Sequence, residues 1–258
     1  MLIFIGLIIP FIGTTLGACM VLVMRSGINS RLEKFLGGFA SGVMISASMF
    51  SLLMPAIEMS ENSGVSPALT TTIGFSLGVL FLFVLDLIIP HMHRNSTKPE
   101  GKNVLSKKSV LLSLAVTMHN IPEGMAVGAV FAGILGGVDS IALSGAMILS
   151  IGIAVQNFPE GAIISLPLNA QGVSKMRAFT YGTLSGIVEP IAGALTLLLT
   201  SFITFLLPYL LSFAAGAMIY VVVEELIPDS QQGLHSNFGT LGATLGFALM
   251  MVLDLALG

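Results

Sequence analysis

Charge is what this sequence has least of. Ten Lys and Arg and thirteen Asp and Glu are spread over 258 residues, 9% of the chain, where soluble domains carry about 25%. That scarcity excludes a water-solvated globular surface, and a net charge of −3 offers no basic face for nucleic acid. One cysteine, Cys19, leaves no intrachain disulfide and no thiolate cluster; in its small-residue, apolar stretch it reads as a buried hydrophobe. The chain has no Gly-x-x-x-x-Gly-Lys-Ser/Thr loop to cradle a nucleotide and no His-Glu-x-x-His pair to build a metalloprotease. An enzyme and an organic cofactor are therefore not expected. What is abundant is hydrophobic, 55% of residues with a mean hydropathy of +0.98. The chain reads as an all-α, multi-pass protein of the cell (plasma or inner) membrane, with the lipid bilayer as its surroundings.

A transmembrane helix takes about 20 apolar residues. The hydropathy pattern predicts eight such helices: 1–24, 35–59, 68–90, 110–135, 140–168, 178–203, 208–228 and 237–258. The first has no cationic stretch ahead of it and reads as a retained span, not a cleaved signal. If the spans alternate in direction, all ten Lys and Arg fall in loops on one side, and the other side carries Glu61 and Asp139. The positive-inside rule makes the first side cytoplasmic and puts both termini outside, in the extracellular or periplasmic space. The 91–109 loop, with His91 and His93, is then cytoplasmic.

Three spans repeat in order. Gly6-x-x-x-Pro10-x-x-Gly13 in the first matches Gly186-x-x-x-Pro190-x-x-Gly193 in the sixth. Phe39-Ala40-Ser41-Gly42-Val43-Met44 in the second matches Phe213-Ala214-Ala215-Gly216-Ala217-Met218 in the seventh. Val84-Leu85-Asp86-Leu87 in the third matches Val252-Leu253-Asp254-Leu255 in the eighth. Equivalent members are five spans apart, an odd number, so the second triplet runs inverted. The expected architecture is a single transmembrane domain, 1–258, of eight helices in a 3+2+3 arrangement. Inverted repeats 1–90 and 178–258 flank a central helix pair within 110–168. Inverted repeats with proline-interrupted helices are the mark of secondary transporters, with the site at the repeat interface.

The central pair holds the chemistry. His119-Asn120-x-Pro122-Glu123-Gly124 and Gln156-Asn157-x-Pro159-Glu160-Gly161 each put a carboxylate deep in an apolar span, where an ionisable group costs at least about 2.5 kcal/mol. Each proline lacks an N–H and frees the carbonyl four residues back, that of Met118 or Val155. Residues at i, i+3 and i+4 share a helix face, so His119, Asn120 and Glu123 should face Gln156, Asn157 and Glu160 across a small cavity. Imidazole nitrogen with carboxylate and amide oxygens suits a divalent transition metal. The blander alternative is polar groups that hydrogen-bond helices together, which neutral amides would do at lower cost. Glu189 precedes Pro190, but its repeat-mate is Ile9. A scaffold role does not explain that carboxylate, and it reads as a site member or a helix-linking acid. Met44 reads as a thioether ligand or as core filler. Asp86, His91 and His93 at the end of the third span, with Glu224 and Glu225 in the seventh, read as a solvated helix end or a release path.

The two motifs, with Glu189-Pro190 after them and His91-x-His93 before, resemble the ZIP family of zinc and iron transporters, in its prokaryotic GufA-like and ZupT-like branch. The likeness runs over essentially the whole chain. It implies a first metal site from His119, Glu123, Gln156, Glu160 and Met44. It implies a second from Asn120, Asn157 and Glu189, sharing Glu123 and Glu160. Some relatives have aspartate where this chain has Asn157 and histidine where it has Gln156. The resemblance also implies an exit path through Asp86, His91, His93 and Glu225. The activity implied is uptake of a divalent metal ion into the cytoplasm by alternating access, with Zn²⁺ as the substrate and Cd²⁺, Fe²⁺ and Mn²⁺ as alternatives. A homodimer is compatible with it. A membrane sensor that binds metal without moving it would share the ligands, but would not need inverted repeats.

Overall fold

A computed structural model describes residues 1–24, 29–62, 64–88, 108–138, 141–170, 172–200, 204–233 and 236–257. Every regular element among them is helical. In chain order they are α1 (Leu2–Val23), α2 (Ser30–Asn62), α3 (Pro67–Ile88), α4 (Lys108–Leu135) and α5 (Leu143–Ala170). Then come α6 in two pieces, α6a (Lys175–Ser185) and α6b (Val188–Thr200), α7 (Leu207–Gln231) and α8 (Phe238–Leu257). Over the described residues, seven of these are long and apolar enough to cross a membrane, and in α4 the described apolar part is Asn120–Leu135. Leucine, isoleucine and phenylalanine side chains such as Phe4, Leu16, Leu80, Leu87 and Leu198 are exposed on the outer surface. Such a surface is stable only against lipid.

Two elements differ from the hydropathy reading. α2 starts five residues earlier than predicted, because Asn29 caps it by accepting from the Arg31 backbone N–H at 2.9 Å. It also contains a π-helical segment, Ser48–Leu53; α7 contains another, Val222–Leu226. The sixth span, expected as one helix over 178–203, breaks between Ser185 and Val188. Pro190 has no N–H for the Gly186 carbonyl and its ring crowds that oxygen. The Gly186 carbonyl instead accepts from Glu189 N at 3.1 Å. Pro122 and Pro159, where local distortion was expected, lie inside helices that run on unbroken.

The helices pack chiefly as α1 on α5, α2 on α8, α3 on α7 and α4 on α6b. In lipid there is no hydrophobic drive between helices, so association rests on close backbone approach at small residues. A Cβ at Gly42 would overlap the Ala243 carbonyl oxygen, and one at Gly38 the Gly239 carbonyl oxygen. Contact positions in α2 and α8 advance together along both chains, so the paired helices are parallel. α1 with α5 and α4 with α6b follow the same pattern: Gly13 and Gly17 lie on Ala154 and Phe158, and Gly124 and Gly128 on Glu189 and Gly193. Most packing falls within two groups, one of α1, α4, α5 and α6 and the other of α2, α3, α7 and α8. The groups meet mainly where α5 touches α2 and α8 and where α4 touches α7. Phe131, Leu149, Met44, Leu52, Leu211 and Met218 are fully buried in the apolar core between them.

Described cations gather at one end. Lys175 Nζ donates to the Leu22 and Met24 carbonyls at the end of α1, at 3.1 and 2.9 Å. Lys34 Nζ donates to Ser236 Oγ, and the Arg31 guanidinium lies 5.8 Å from the Phe238 ring centre. The starts of α2, α6 and α8 thus share a face with the end of α1.

Candidate metal centre

Three buried carboxylates lie in the region where α4, α5 and α6 meet, with Glu189 within electrostatic range of the other two. Glu123 is wholly buried, Glu189 is 1% exposed and Glu160 6% exposed. Asn120, Gln156 and Asn157 are wholly buried beside them. The break in α6 places the third acid: it puts Glu189 in the first turn of α6b, where the positive end of the helix dipole favours a carboxylate. Glycines let the backbones close around the cluster, since a Cβ at Gly124 would overlap the Glu189 carbonyl and one at Gly161 the Thr14 carbonyl.

The hydrogen bonds divide the cluster into two halves. Gln156 Nε2 donates to Glu123 Oε1 at 2.6 Å, which joins α4 to α5 face to face as the motif spacing implied. Asn120 turns the other way, towards α6. Its Nδ2 donates to Glu189 Oε1 at 3.1 Å and to the Ser185 carbonyl at 3.2 Å. Thr14 Oγ1, from α1, donates to the same Glu189 oxygen at 2.7 Å. Asn157 lies near Glu123 and Glu189 but reaches hydrogen-bonding geometry with neither.

Much of this polar surface is unsatisfied. Among the described residues, Asn120 Oδ1, Glu123 Oε2, Gln156 Oε1, Glu189 Oε2 and both side-chain polar atoms of Asn157 are buried without a hydrogen-bond partner. Each such group costs about 1–3 kcal/mol, so the cluster is poorly made as a helix-linking device. Five of the six atoms are oxygens, the donor set of a cation site. Glu189 lies within electrostatic range of both Glu123 and Glu160. Among the described residues, no three His, Cys, Asp or Glu side chains stand close enough together to hold a metal ion.

Met44 is wholly buried in the apolar core with its repeat-mate Met218. His119 lies in α4, but its side chain lies outside the described residues, as do His91 and His93.

A cavity of about 280 Å³ connects Glu160 to the cation-bearing end. Glu33, Lys34, Glu225 and Asp229 line it, and exposed Ser30, Gln232 and Gly233 form its mouth. Glu225, assigned to the exit path from sequence, is on this wall. Asp86 is not: its carboxylate accepts from Tyr220 Oη between α3 and α7. The sequence reading missed Glu33, Lys34 and Asp229, and it missed Thr14. The pattern around Thr14 could have exposed it, since the repeat-mate of Thr14 is Ala194, just as that of Glu189 is Ile9. At the other end, Ser51 Oγ donates to Asp254 at 2.6 Å.

Residues 103–254 match the profile of the ZIP Zinc transporter family. The chain is 38% identical to the zinc transporter GufA of Myxococcus xanthus, over 95% of this chain and 94% of that one. It is 35% identical to the human zinc transporter ZIP11 over the same shares, and 36% identical to the zinc transporter ZIPB of Bordetella bronchiseptica over 96% of this chain and 79% of that one. With matches of this extent behind a buried cluster of Glu123, Glu160 and Glu189, the chain belongs to the ZIP zinc transporter family.

Proposed function

We propose that this protein carries divalent transition-metal ions, foremost Zn²⁺, across the cell membrane into the cytoplasm. The observation that carries this reading is the cluster of three buried carboxylates, with unsatisfied oxygens on Glu123 and Glu189 and a cavity that reaches Glu160 from the cation-bearing end. Glu123, Glu160, Gln156 and His119, with Met44, would form a first site. Asn120, Asn157 and Glu189 would complete a second that shares Glu123 and Glu160. Neighbouring buried carboxylates repel one another, and a divalent ion would remove that cost.

The 3+2+3 inverted arrangement is supported by the packing, and the placing of both termini outside by the gathering of cations at the opposite end. Exchanging α1 with α6, α2 with α7, α3 with α8 and α4 with α5 turns each of the four main helix pairs into another of them. The close approach of Gly42 to Ala243 has its mate in that of Gly216 to Phe75, and the π segments fall at equivalent positions. The cation-bearing end would be cytoplasmic, which makes the cavity from Glu160 past Glu225 an exit vestibule. Alternating access would then be a rigid movement of α1, α4, α5 and α6 against α2, α3, α7 and α8. The ion would shed water onto Glu123, Glu160 and His119 from outside and leave through the vestibule towards the loop holding His91 and His93.

The test is ⁶⁵Zn uptake into proteoliposomes with Glu123→Ala and Glu160→Ala combined. Uptake should fall to the protein-free level. Unchanged uptake would refute the site, whereas metal binding without uptake in the unmodified protein would favour a sensor.

A further inference from the structure

Glu189 is held by a residue from a helix outside the metal motifs. Thr14 sits in α1, wholly buried, one residue beyond the Gly-x-x-x-Pro-x-x-Gly motif. A threonine within a helix commonly turns its hydroxyl back to its own i−4 carbonyl. Here the hydroxyl reaches across to Glu189 Oε1 at 2.7 Å. Asn120 Nδ2 donates to the same oxygen, so Oε1 has two donors and Oε2 has none.

The surroundings fix this geometry from three directions. The Thr14 backbone carbonyl lies against Gly161, next to Glu160, and Gly13 lies on Ala154 of the same helix. A Cβ at Gly186 would come within 2.8 Å of both Thr14 Cβ and Glu189 Oε1. The pairing is also one-sided. Repeat symmetry maps Thr14 and Glu189 onto Ala194 and Ile9, neither of which can make a side-chain hydrogen bond. A scaffold contact needed by both halves would recur, and this one does not.

We infer that Thr14 is a positioning residue for the metal pathway: with Asn120 it saturates Glu189 Oε1 and leaves Oε2 as a single, oriented oxygen for a divalent cation. This rests on Glu189 belonging to the metal site. Orientation fixed before the ion arrives lowers the cost of binding it, so the effect should appear in affinity more than in the rate of movement.

The test compares Thr14→Val, which keeps the shape and deletes the donor, with Thr14→Ser, which keeps the donor. Both are made in the full chain and in a Glu189→Gln background. Zn²⁺ dissociation constants are measured on purified protein and uptake kinetics in proteoliposomes, with thermal melting as the check on folding. Thr14→Val should raise both Kd and KM about tenfold, in keeping with a hydrogen bond to a charged group, with Vmax changed less than about twofold. Thr14→Ser should restore both constants. In the Glu189→Gln background, Thr14→Val should leave Kd unchanged. The inference is overturned if Thr14→Val leaves Kd unaltered, if serine fails as valine does, or if the valine effect persists without Glu189. If Glu189→Gln alone leaves both Kd and uptake at the unmodified values, the failure lies with the placement of Glu189 in the site, and the inference falls with it.

Discussion

α1 and α6 carry the same Gly-x-x-x-Pro-x-x-Gly motif at equivalent positions, yet one is continuous and the other is broken. Both prolines forfeit a backbone bond. What differs is whether the freed carbonyls find other partners. In α6, Asn120 donates to the Ser185 carbonyl and Ser185 Oγ to that of Gly182, so the interruption leaves these two oxygens satisfied. In α1 the Phe131 ring lies against Gly6, whose carbonyl Pro10 frees, and Ile9, Ile12 and Leu16 line an apolar groove with Leu36 and Phe39 of α2 and Phe158 of α5. An unsatisfied backbone group in such surroundings costs several kcal/mol, so the helix stays closed. Proline permits a break, and the polar groups around it decide whether the break occurs.

The comparison yields graded predictions. Glu189→Ile makes α6 resemble α1 and should have the largest effect. It deletes a carboxylate and strands Thr14 Oγ1, at about 1–3 kcal/mol for each buried group left unpaired, and ⁶⁵Zn uptake should fall by at least about tenfold. Near-normal uptake would mean that the two helices are functionally alike. The reciprocal Ile9→Glu should cost about 2.5–3.5 kcal/mol, the penalty of a charge at membrane depth. It should appear as a lower melting temperature with no gain in uptake. Pro190→Ala should have the smallest effect, with uptake kept within about threefold, under 1 kcal/mol, because Asn120 still engages the Ser185 carbonyl. A loss as large as that of Glu189→Ile would show that the proline alone dictates the break.

The repeats were readable in the sequence because they rest on glycine and proline, whose roles are local and steric. Gly42 and Gly216 mark the same close approach in both halves, and the paired motifs predicted that α4 and α5 would face each other, as the Gln156–Glu123 bond does. The rotation of Asn120 towards α6 was not readable, because it depends on where the α6 break leaves the Ser185 carbonyl and Glu189. Nor was the vestibule, whose walls come from residues 30–37 and 221–233 and from Glu160, brought together only by packing. The hydrogen bond from Tyr220 to Asp86 across the α3–α7 pair was not readable either, because it too is made only by packing.

The central claim is that the metal is held between α4, α5 and α6, and anomalous diffraction from crystals soaked in Cd²⁺ tests it most directly. The account predicts a peak among Glu123, Glu160 and Glu189, within reach of Glu189 Oε2, that disappears in the Glu123→Ala, Glu160→Ala double variant. Peaks confined to the vestibule at Glu33, Glu225 and Asp229, unaffected by those substitutions, would contradict it.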